Sequence, residues 1–410
     1  MATAGDSTVT ALQYILKTKY DQKKLYELTY PDCAFLGSVR KDLKFGGNNA
    51  RITMRYGRPQ GGSMTFTTAQ NNKTSSSDAG MLLTRKTDYH ICGISGEALL
   101  AGEGSENTLI SAVNGEMEGC TLNFRRSLSV QLYANGGGAR SQFDGVTSIA
   151  SKTMPLLDAQ QIVFFEVGMF CVLATTDGTT GSVEANHEQI SAVDRDAGKI
   201  SATSATWSTT ITTAANTDYI FREGDFGNGI KGLEAWIPAT APASGDSFFG
   251  VDRSADTTRL AGVRFAASAG AAKEDTLVDC SARLGREGGI PDTVYLQNLD
   301  RADIVKNLQG KAVFEMTQAT NGSIGYKALI LEGDKAPIKV VVDPNQKKGR
   351  FHMLQLDTWV LKSLKGVPHF IDEDGQKMLR EATADGFEWR MRAIWQLGCE
   401  APGYNARGAF

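Results

Sequence analysis

Between Lys44 and Gln70 the chain carries a long basic ribbon of alternating character. Ile52, Met54 and Tyr56 alternate with Arg51, Thr53 and Arg55. Gly57-Arg58-Pro59-Gln60-Gly61-Gly62 is turn-forming, and Met64, Phe66 and Thr68 alternate on the way back. A period of two on either side of a Gly/Pro turn predicts a β-hairpin. Two strands alone are marginal in water, so the apolar face of such a hairpin has to be covered. Its flanks, 45–49 and 71–77, are rich in Gly, Asn and Ser and supply no cover. A second copy of the same chain is the natural cover, which makes self-assembly the leading expectation.

The charges of the ribbon fit that reading. The whole chain has 43 Lys and Arg against 46 Asp and Glu, a formal charge of −3, which argues against a free-standing nucleic-acid binder. From 40 to 60, however, Arg40, Lys41, Lys44, Arg51, Arg55 and Arg58 face only Asp42, a local excess of five. A basic arm on a near-neutral body suits docking onto an acidic neighbour; a solvated strand face is the plainer reading of the same charges. The candidate inter-subunit contacts are Arg51, Arg55 and Arg58 for charge, and Ile52, Met54, Tyr56, Met64 and Phe66 for burial. Glu103, Glu106, Asp372 and Asp374 are the candidate acidic counterparts.

Other chemistries find little support. Cys33, Cys92, Cys120, Cys171, Cys280 and Cys399 are scattered, with no CxxC pair and no tight Cys/His cluster. No metal site is therefore expected, and free thiols in a reducing cytoplasm are the default. The N-terminus has no basic segment leading into an apolar run, and no stretch reaches the 18 uninterrupted apolar residues of a membrane span. Gly245-Asp246-Ser247-Phe248 echoes a hydrolase motif, but none of His90, His187, His352 or His369 has an Asp three residues before it to serve as its partner. Gly224-Asp225-Phe226-Gly227 lacks the strand–turn–helix context of a dinucleotide site. No catalytic residue and no cofactor is expected.

Residues 105–135 predict one long helix, because Leu109, Ile110, Val113, Met117, Cys120, Phe124, Leu128 and Leu132 fall three or four apart. Ser105 caps it, and Asn135-Gly136-Gly137-Gly138 ends it. From 161 to 228 the texture changes to short Thr/Val/Ile-rich runs at 169–174, 188–193, 199–204, 208–213 and 219–221, which predict a small β-barrel or sandwich. A helix is expected at 275–287, a strand at 290–296, and a helix capped by Asp300 through Leu308. Strands are expected at 338–342, 351–356, 359–362, 369–371 and 387–397. In the last, Phe387, Trp389, Met391 and Ala393 alternate with Glu388, Arg390 and Arg392.

In this order of elements the chain resembles tailed-bacteriophage major capsid proteins of the Hong Kong ninety-seven fold. Gly288-Gly289-Ile290-Pro291-Asp292-Thr293-Val294-Tyr295-Leu296 with the following helix looks like that family's axial-domain unit. Phe387-Glu388-Trp389-Arg390-Met391-Arg392, then Pro402-Gly403-Tyr404, looks like its returning peripheral strand and terminal segment. The resemblance implies an α+β fold: an N-terminal arm at 1–44, an extended hairpin or E-loop with its return at 45–104, and a peripheral domain at 105–160 holding the spine helix 105–135. It further implies an axial domain at 229–375 and closing peripheral strands at 376–410; the β-rich block at 161–228 departs from the family's minimal fold and is expected to be an insertion domain. It implies a virion protein, assembled in the host bacterial cytoplasm, that forms an icosahedral shell of hexamers and pentamers around double-stranded DNA held without sequence readout. The partners implied are a separate scaffolding protein, a portal protein and a decoration protein, with no membrane. An encapsulin-like compartment is the alternative within the fold, and a hydrolase or adhesin carried by the β-rich region is the alternative of another class.

Overall fold

The apolar stripe of 105–135 folds as one helix, Glu106–Tyr133. A computed structural model describes residues 33–43, 45–47, 49–98, 106–309, 329–373, 375 and 378–410, with the backbone alone at 106–114, 309, 329 and 332. The first 32 residues of the expected N-terminal arm, together with Glu103 and Asp374, lie outside the described residues, as does the side chain of Glu106. Two compact units divide the chain: 86–128 with 363–395, and 33–85 with 129–362 and 396–410. The long helix and the closing strand Gly386–Cys399 each contribute residues to both.

In the first unit, Lys86–Ser95 pairs antiparallel with the closing strand over ten residues, from Gly386↔Ser95 to Trp395↔Lys86. His369–Phe370 and Met378–Arg380 add to the same strand. Alternation places Trp389 and Met391 inward, and both are buried. Ile94, Ala98 and Trp389 form the core with Met117, Phe370 and Met378 around them. The helix lays Cys120, Phe124 and Leu128 against this unit's interior, all buried as its period requires.

The second unit holds two six-stranded sheets. In the first, the strands run in the order Ser141–Gln142, Tyr219–Arg222, Phe170–Ala174, Glu188–Asp194, Lys199–Ala202, Thr153–Pro155. Its apolar face closes on Phe143, Met154, Phe165 and Trp207, all buried. Two strands of this sheet precede the block expected at 161–228, and Phe143 and Met154 join Leu173, Ile190, Ile200 and Ile220 of the later strands in one core. The strand expected at 208–213 is instead a single helical turn, Trp207–Thr210, since Trp207 turns inward to stack edge-on to Phe143 at 5.3 Å. Where this sheet meets the end of the long helix, Gly137 and Gly178 are in backbone contact: a Cβ on Gly137 would sit 2.0 Å from the Asp177 carbonyl oxygen. The glycine cluster that stops the helix thus also permits a close approach that no side chain would allow.

The other sheet runs Val263–Ala266, Ala406–Ala409, Arg350–Leu354, Thr293–Leu296, Pro337–Val342, Leu329–Glu332, with the helices Lys273–Glu287 and Asn298–Gln309 packed on its apolar residues. The last strand of the chain is therefore a member of this sheet, paired with Val263–Ala266 and Arg350–Leu354, and is not one of the closing strands expected from 376 onward. The second helix begins at Asn298, so Asp300 lies in its first turn, where its buried carboxylate accepts from Lys273 Nζ (2.7 Å) and the Gly349 amide (2.8 Å).

Two carboxylates, buried Asp343 and largely buried Glu234, organise the second unit. Asp343 accepts from the Phe35 amide (3.2 Å), the Tyr133 hydroxyl (3.0 Å) and the Asn345 amide (2.9 Å). Burial raises its pKa against the pull of those donors. Glu234 meets Lys347 at 3.0 Å, Arg350 and, at 3.9 Å, Arg407. Burial alone would raise its carboxyl, but the three cations outweigh burial and hold it at about 2. Beside them His352 is fully buried, and burial pushes its imidazole down to about 3.

Both Glu234 and His352 take up protons in the folded chain only at lower pH than in the unfolded chain. Their contribution to stability is therefore complete above the unfolded values and is lost as pH falls. For His352 the loss runs from about 6.5 to about 3, and for Glu234 from about 4.5 to about 2. Urea unfolding followed from pH 7 to pH 4.5 should show stability falling, with His352 contributing roughly 1.4 kcal/mol per pH unit below its unfolded pKa. His352→Gln should remove that part of the slope; an unchanged slope would show that the imidazole is protonated in the fold.

Candidate assembly surfaces

The arm is built from Asn49–Gly57 and Ser77–Thr84, paired antiparallel from Asn49↔Thr84 to Gly57↔Ser77 with an irregularity between Arg55 and Gly57. The return strand is thus 77–84 and not 64–68. Residues 58–76 form a long tip instead, with the short helix Phe66–Asn71 inside it. The alternation of Met64, Phe66 and Thr68 imitates a strand, but all three are exposed, and the Thr65 hydroxyl donates to the Thr68 hydroxyl (2.7 Å) at the start of the helical turn. Gln60 and Thr74 close the tip through the Thr74 amide to the Gln60 carbonyl (2.8 Å) and the Gln60 amide to Thr74 Oγ1 (2.9 Å).

Base and tip differ in what covers them. At the base, Ile52, Ala79, Met81 and Leu83 are buried within the chain's own second unit. A Cβ on Gly398 would lie 2.7 Å from Ile52 Cδ1, 3.0 Å from Leu83 and 3.3 Å from Val360, so these side chains occupy the space that glycine leaves. The Leu82 amide donates to the Phe249 carbonyl (3.0 Å), and Arg259 Nη1 donates to the Tyr56 carbonyl (2.6 Å). At the tip, not one residue from 58 to 76 is buried; Met64 and Phe66 are 107% and 82% exposed.

The expected contact residues therefore separate into groups. Ile52 is covered by its own chain and offers nothing to a neighbour. Arg55 stands opposite Asp78 in the register and makes a two-pronged pair with it (2.7 and 3.1 Å), which raises the pKa of the arginine and lowers that of the aspartate. Its cation has a partner in the same chain, and both side chains of the pair remain exposed. Met54 and Tyr56 are half-buried, while Arg51, Arg58, Met64 and Phe66 are exposed. Asp372 is exposed in the first unit, next to Glu373, which pairs with Arg392. Asp78, Phe249 and Arg259 were missed because their roles depend on a strand pairing and two loop contacts that leave no local pattern.

Gly245-Asp246-Ser247-Phe248 has a structural place. Ser247–Phe248 pairs with Val251–Asp252, Asp246 is engaged by Arg253 at 3.1 Å, and Arg253 lies over the Phe248 ring at 4.0 Å. The hairpin ends at Phe249, whose carbonyl braces the arm. The cysteines also depart from expectation. Cys92 and Cys120, 28 residues apart, are joined in a disulfide, and His90 lies with them in one cluster. The strand Lys86–Ser95 and the long helix bring the three together, which sequence spacing does not reveal.

No known protein-family pattern and no curated protein matches the chain. Solved structures match it along nearly its whole length. A subunit of the Cyanophage A-1(L) capsid asymmetric unit superposes with a TM-score of 0.54 at 12% identity, covering 93% of each chain. A subunit of the capsid of the native GTA particle gives 0.52 at 8% identity, covering 100% of this chain and 99% of that one.

The difference between base and tip is measurable on dilute, unassembled protein. Ile52→Ala should cost about 2–5 kcal/mol of unfolding free energy, because a filled site is emptied. Phe66→Ala should stay within about 0.5 kcal/mol, as for other exposed positions. Equal costs in chemical denaturation would show that the tip packs on its own chain. At this level of identity the likeness to solved structures is one of fold, and the chain has the α+β fold of phage capsid subunits.

Proposed function

We propose that this chain is a major capsid protein that self-assembles into the icosahedral head shell of a tailed bacteriophage, enclosing double-stranded DNA. The observation that carries the reading is the uncovered tip at 58–76 on an arm whose base is fixed, in a fold shared with capsid subunits. The tip holds Met64 and Phe66, the cations Arg58 and Lys73, and no acidic residue. Laid across a second copy, it would bury two large apolar side chains worth about 1.5–3 kcal/mol each, less the entropy of ordering the loop. Asp372 of that copy, with Glu103, Glu106 and Asp374, is the acidic counterpart we assign to Arg58, Lys73 and Arg51.

One such contact is weak. Repeated around hexamers and pentamers in closed symmetry, it gives a stable container. The role is structural rather than catalytic. A chain of charge −3 suits containment of DNA without sequence readout, since a specific or non-specific binder would present many cations to phosphate. Assembly in the host cytoplasm with a separate scaffolding protein, a portal and an outer decoration protein completes the reading, the last docking on the β-rich sheet of 141–222.

Overexpressed protein viewed by negative-stain microscopy should form closed particles. Met64→Asp with Phe66→Asp should leave the dilute subunit folded, with unfolding unchanged, and abolish the particles. Normal particles from that double variant would overturn the reading. Nuclease-protected DNA within particles made during infection supports a genome shell, whereas a co-purifying protein cargo would assign an encapsulin-like compartment.

A further inference from the structure

Five of the six cysteines fall into two chemical classes; the sixth, Cys33, is a half-buried free thiol. Cys171, Cys280 and Cys399 are buried, and burial pushes each thiol up to about 12, which leaves no thiolate to react at neutral pH. Cys92 and Cys120 are bonded, with Cα atoms 6.4 Å apart, and Cys92 is only half-buried, so a small reagent can reach it. Two residues before Cys92, on the same face of its strand, His90 stacks on Phe124, four residues after Cys120 on the same face of the helix; the rings are 5.6 Å apart and 11° from parallel. A ring nitrogen of His90 and the two sulfurs all lie within 4.8 Å of one another. The strand and the helix are therefore held in register by two rungs, one covalent and one stacked. An imidazole beside a thiol favours the reactive thiolate, which the three isolated buried cysteines lack.

We propose that Cys92 and Cys120 are a redox staple: a dithiol in a reducing medium and a disulfide in an oxidising one, fixing the long helix to the strand Lys86–Ser95. The stacked rung keeps the pair aligned when the bond is open, so the fold does not depend on the bond. Closure with a small disulfide such as glutathione disulfide proceeds in two exchanges. The Cys92 thiolate attacks one glutathione sulfur, forming a mixed disulfide and releasing the first glutathione thiolate. The Cys120 thiolate then attacks the Cys92 sulfur and displaces the second. Two electrons pass from the protein sulfurs to the small disulfide, and the two protein thiol protons end on two glutathione thiols. The inference concerns the single chain and stands apart from the assembly reading; under that reading, the staple closes once particles leave the reducing cell interior.

The test uses the full chain produced in a reducing cytoplasm, one portion of it alkylated with N-ethylmaleimide in denaturant at lysis so that buried Cys120 is reached. Mass spectrometry should find Cys92 and Cys120 alkylated. A second portion, not alkylated at lysis and exposed to glutathione disulfide, should show a Tm raised by roughly 5–10 °C, reversed by dithiothreitol, and, alkylated in denaturant only afterwards, should yield a peptide joining the two cysteines with no alkylation at either. Cys92→Ser and Cys120→Ala should each keep the Tm of the reduced protein and lose the shift. Three results would overturn the proposal. The pair could already be bonded at lysis and open only on unfolding, which makes it a fixed structural bond. It could stay a dithiol in glutathione disulfide. Or the reduced chain could bind one equivalent of Zn²⁺ that His90→Ala abolishes and that blocks oxidation, which makes the cluster a metal site.

Discussion

The second unit runs out of cover for its own arm at Gly57. Up to that residue the alternating side chains find Met81 and Leu83 across the hairpin, with Val360 and the space above Gly398 beneath, and Ile52 is buried. Beyond it the chain continues for nineteen residues, 58–76, without a single buried side chain, yet two of those residues are Met64 and Phe66. An isolated Phe on a surface needs no explanation. A fixed base that ends in a long uncovered tip, with two apolar residues, two cations and no acid, does. The tip has enough local hydrogen bonding, through Gln60 and Thr74, to keep a shape, but nothing in its own unit to bury.

The tip needs a rigid mount, and the second unit supplies one with buried polar groups. The Asp343 carboxylate draws the Phe35 amide, the Tyr133 hydroxyl and Asn345 to one point, and Phe35 packs edge-on to Tyr295 at 5.2 Å and Trp359 at 6.4 Å. A buried carboxylate is costly unless its donors are present, so the arrangement penalises alternatives in which any of them is displaced. Glu234 does the same for Lys347, Arg350 and Arg407. The arm leaves this unit held through its own main-chain groups, the Leu82 amide to the Phe249 carbonyl and the Tyr56 carbonyl to the Arg259 guanidinium, neither of which depends on the identity of the arm's side chains.

Periodic features were legible in the sequence. The long helix and the alternating closing strand each bury one face, and a buried face writes its period into the chain, while Thr293–Leu296, buried at all four positions, was legible as a short apolar run after Gly288-Gly289. Turn-like glycines at 136–138 marked the helix end, although their second use, close contact with Gly178, required knowing the partner. What was not legible depended on distant pairing. Asp78 is opposite Arg55 only once the return strand is known to begin at Ser77, and the apolar Met64 and Phe66 imitated a nearer return. Cys92 meets Cys120 because a strand and a helix pack together, and the terminal strand Ala406–Ala409 adds to a sheet whose other members begin at 263. Glu234 reaches Lys347 across 113 positions. Local composition carries no trace of such contacts.

The claim on which the account rests is that the tip gains its cover from another copy. Hydrogen–deuterium exchange of the backbone amides at 58–76, read in dilute subunits and again in assembled particles, tests it directly. The account predicts fast exchange through the tip in the dilute subunit, slow exchange at 79–83 in both states, and strong protection of 58–76 only in particles. Protection of the tip already present in the dilute chain, or fast exchange persisting in closed particles, would contradict it.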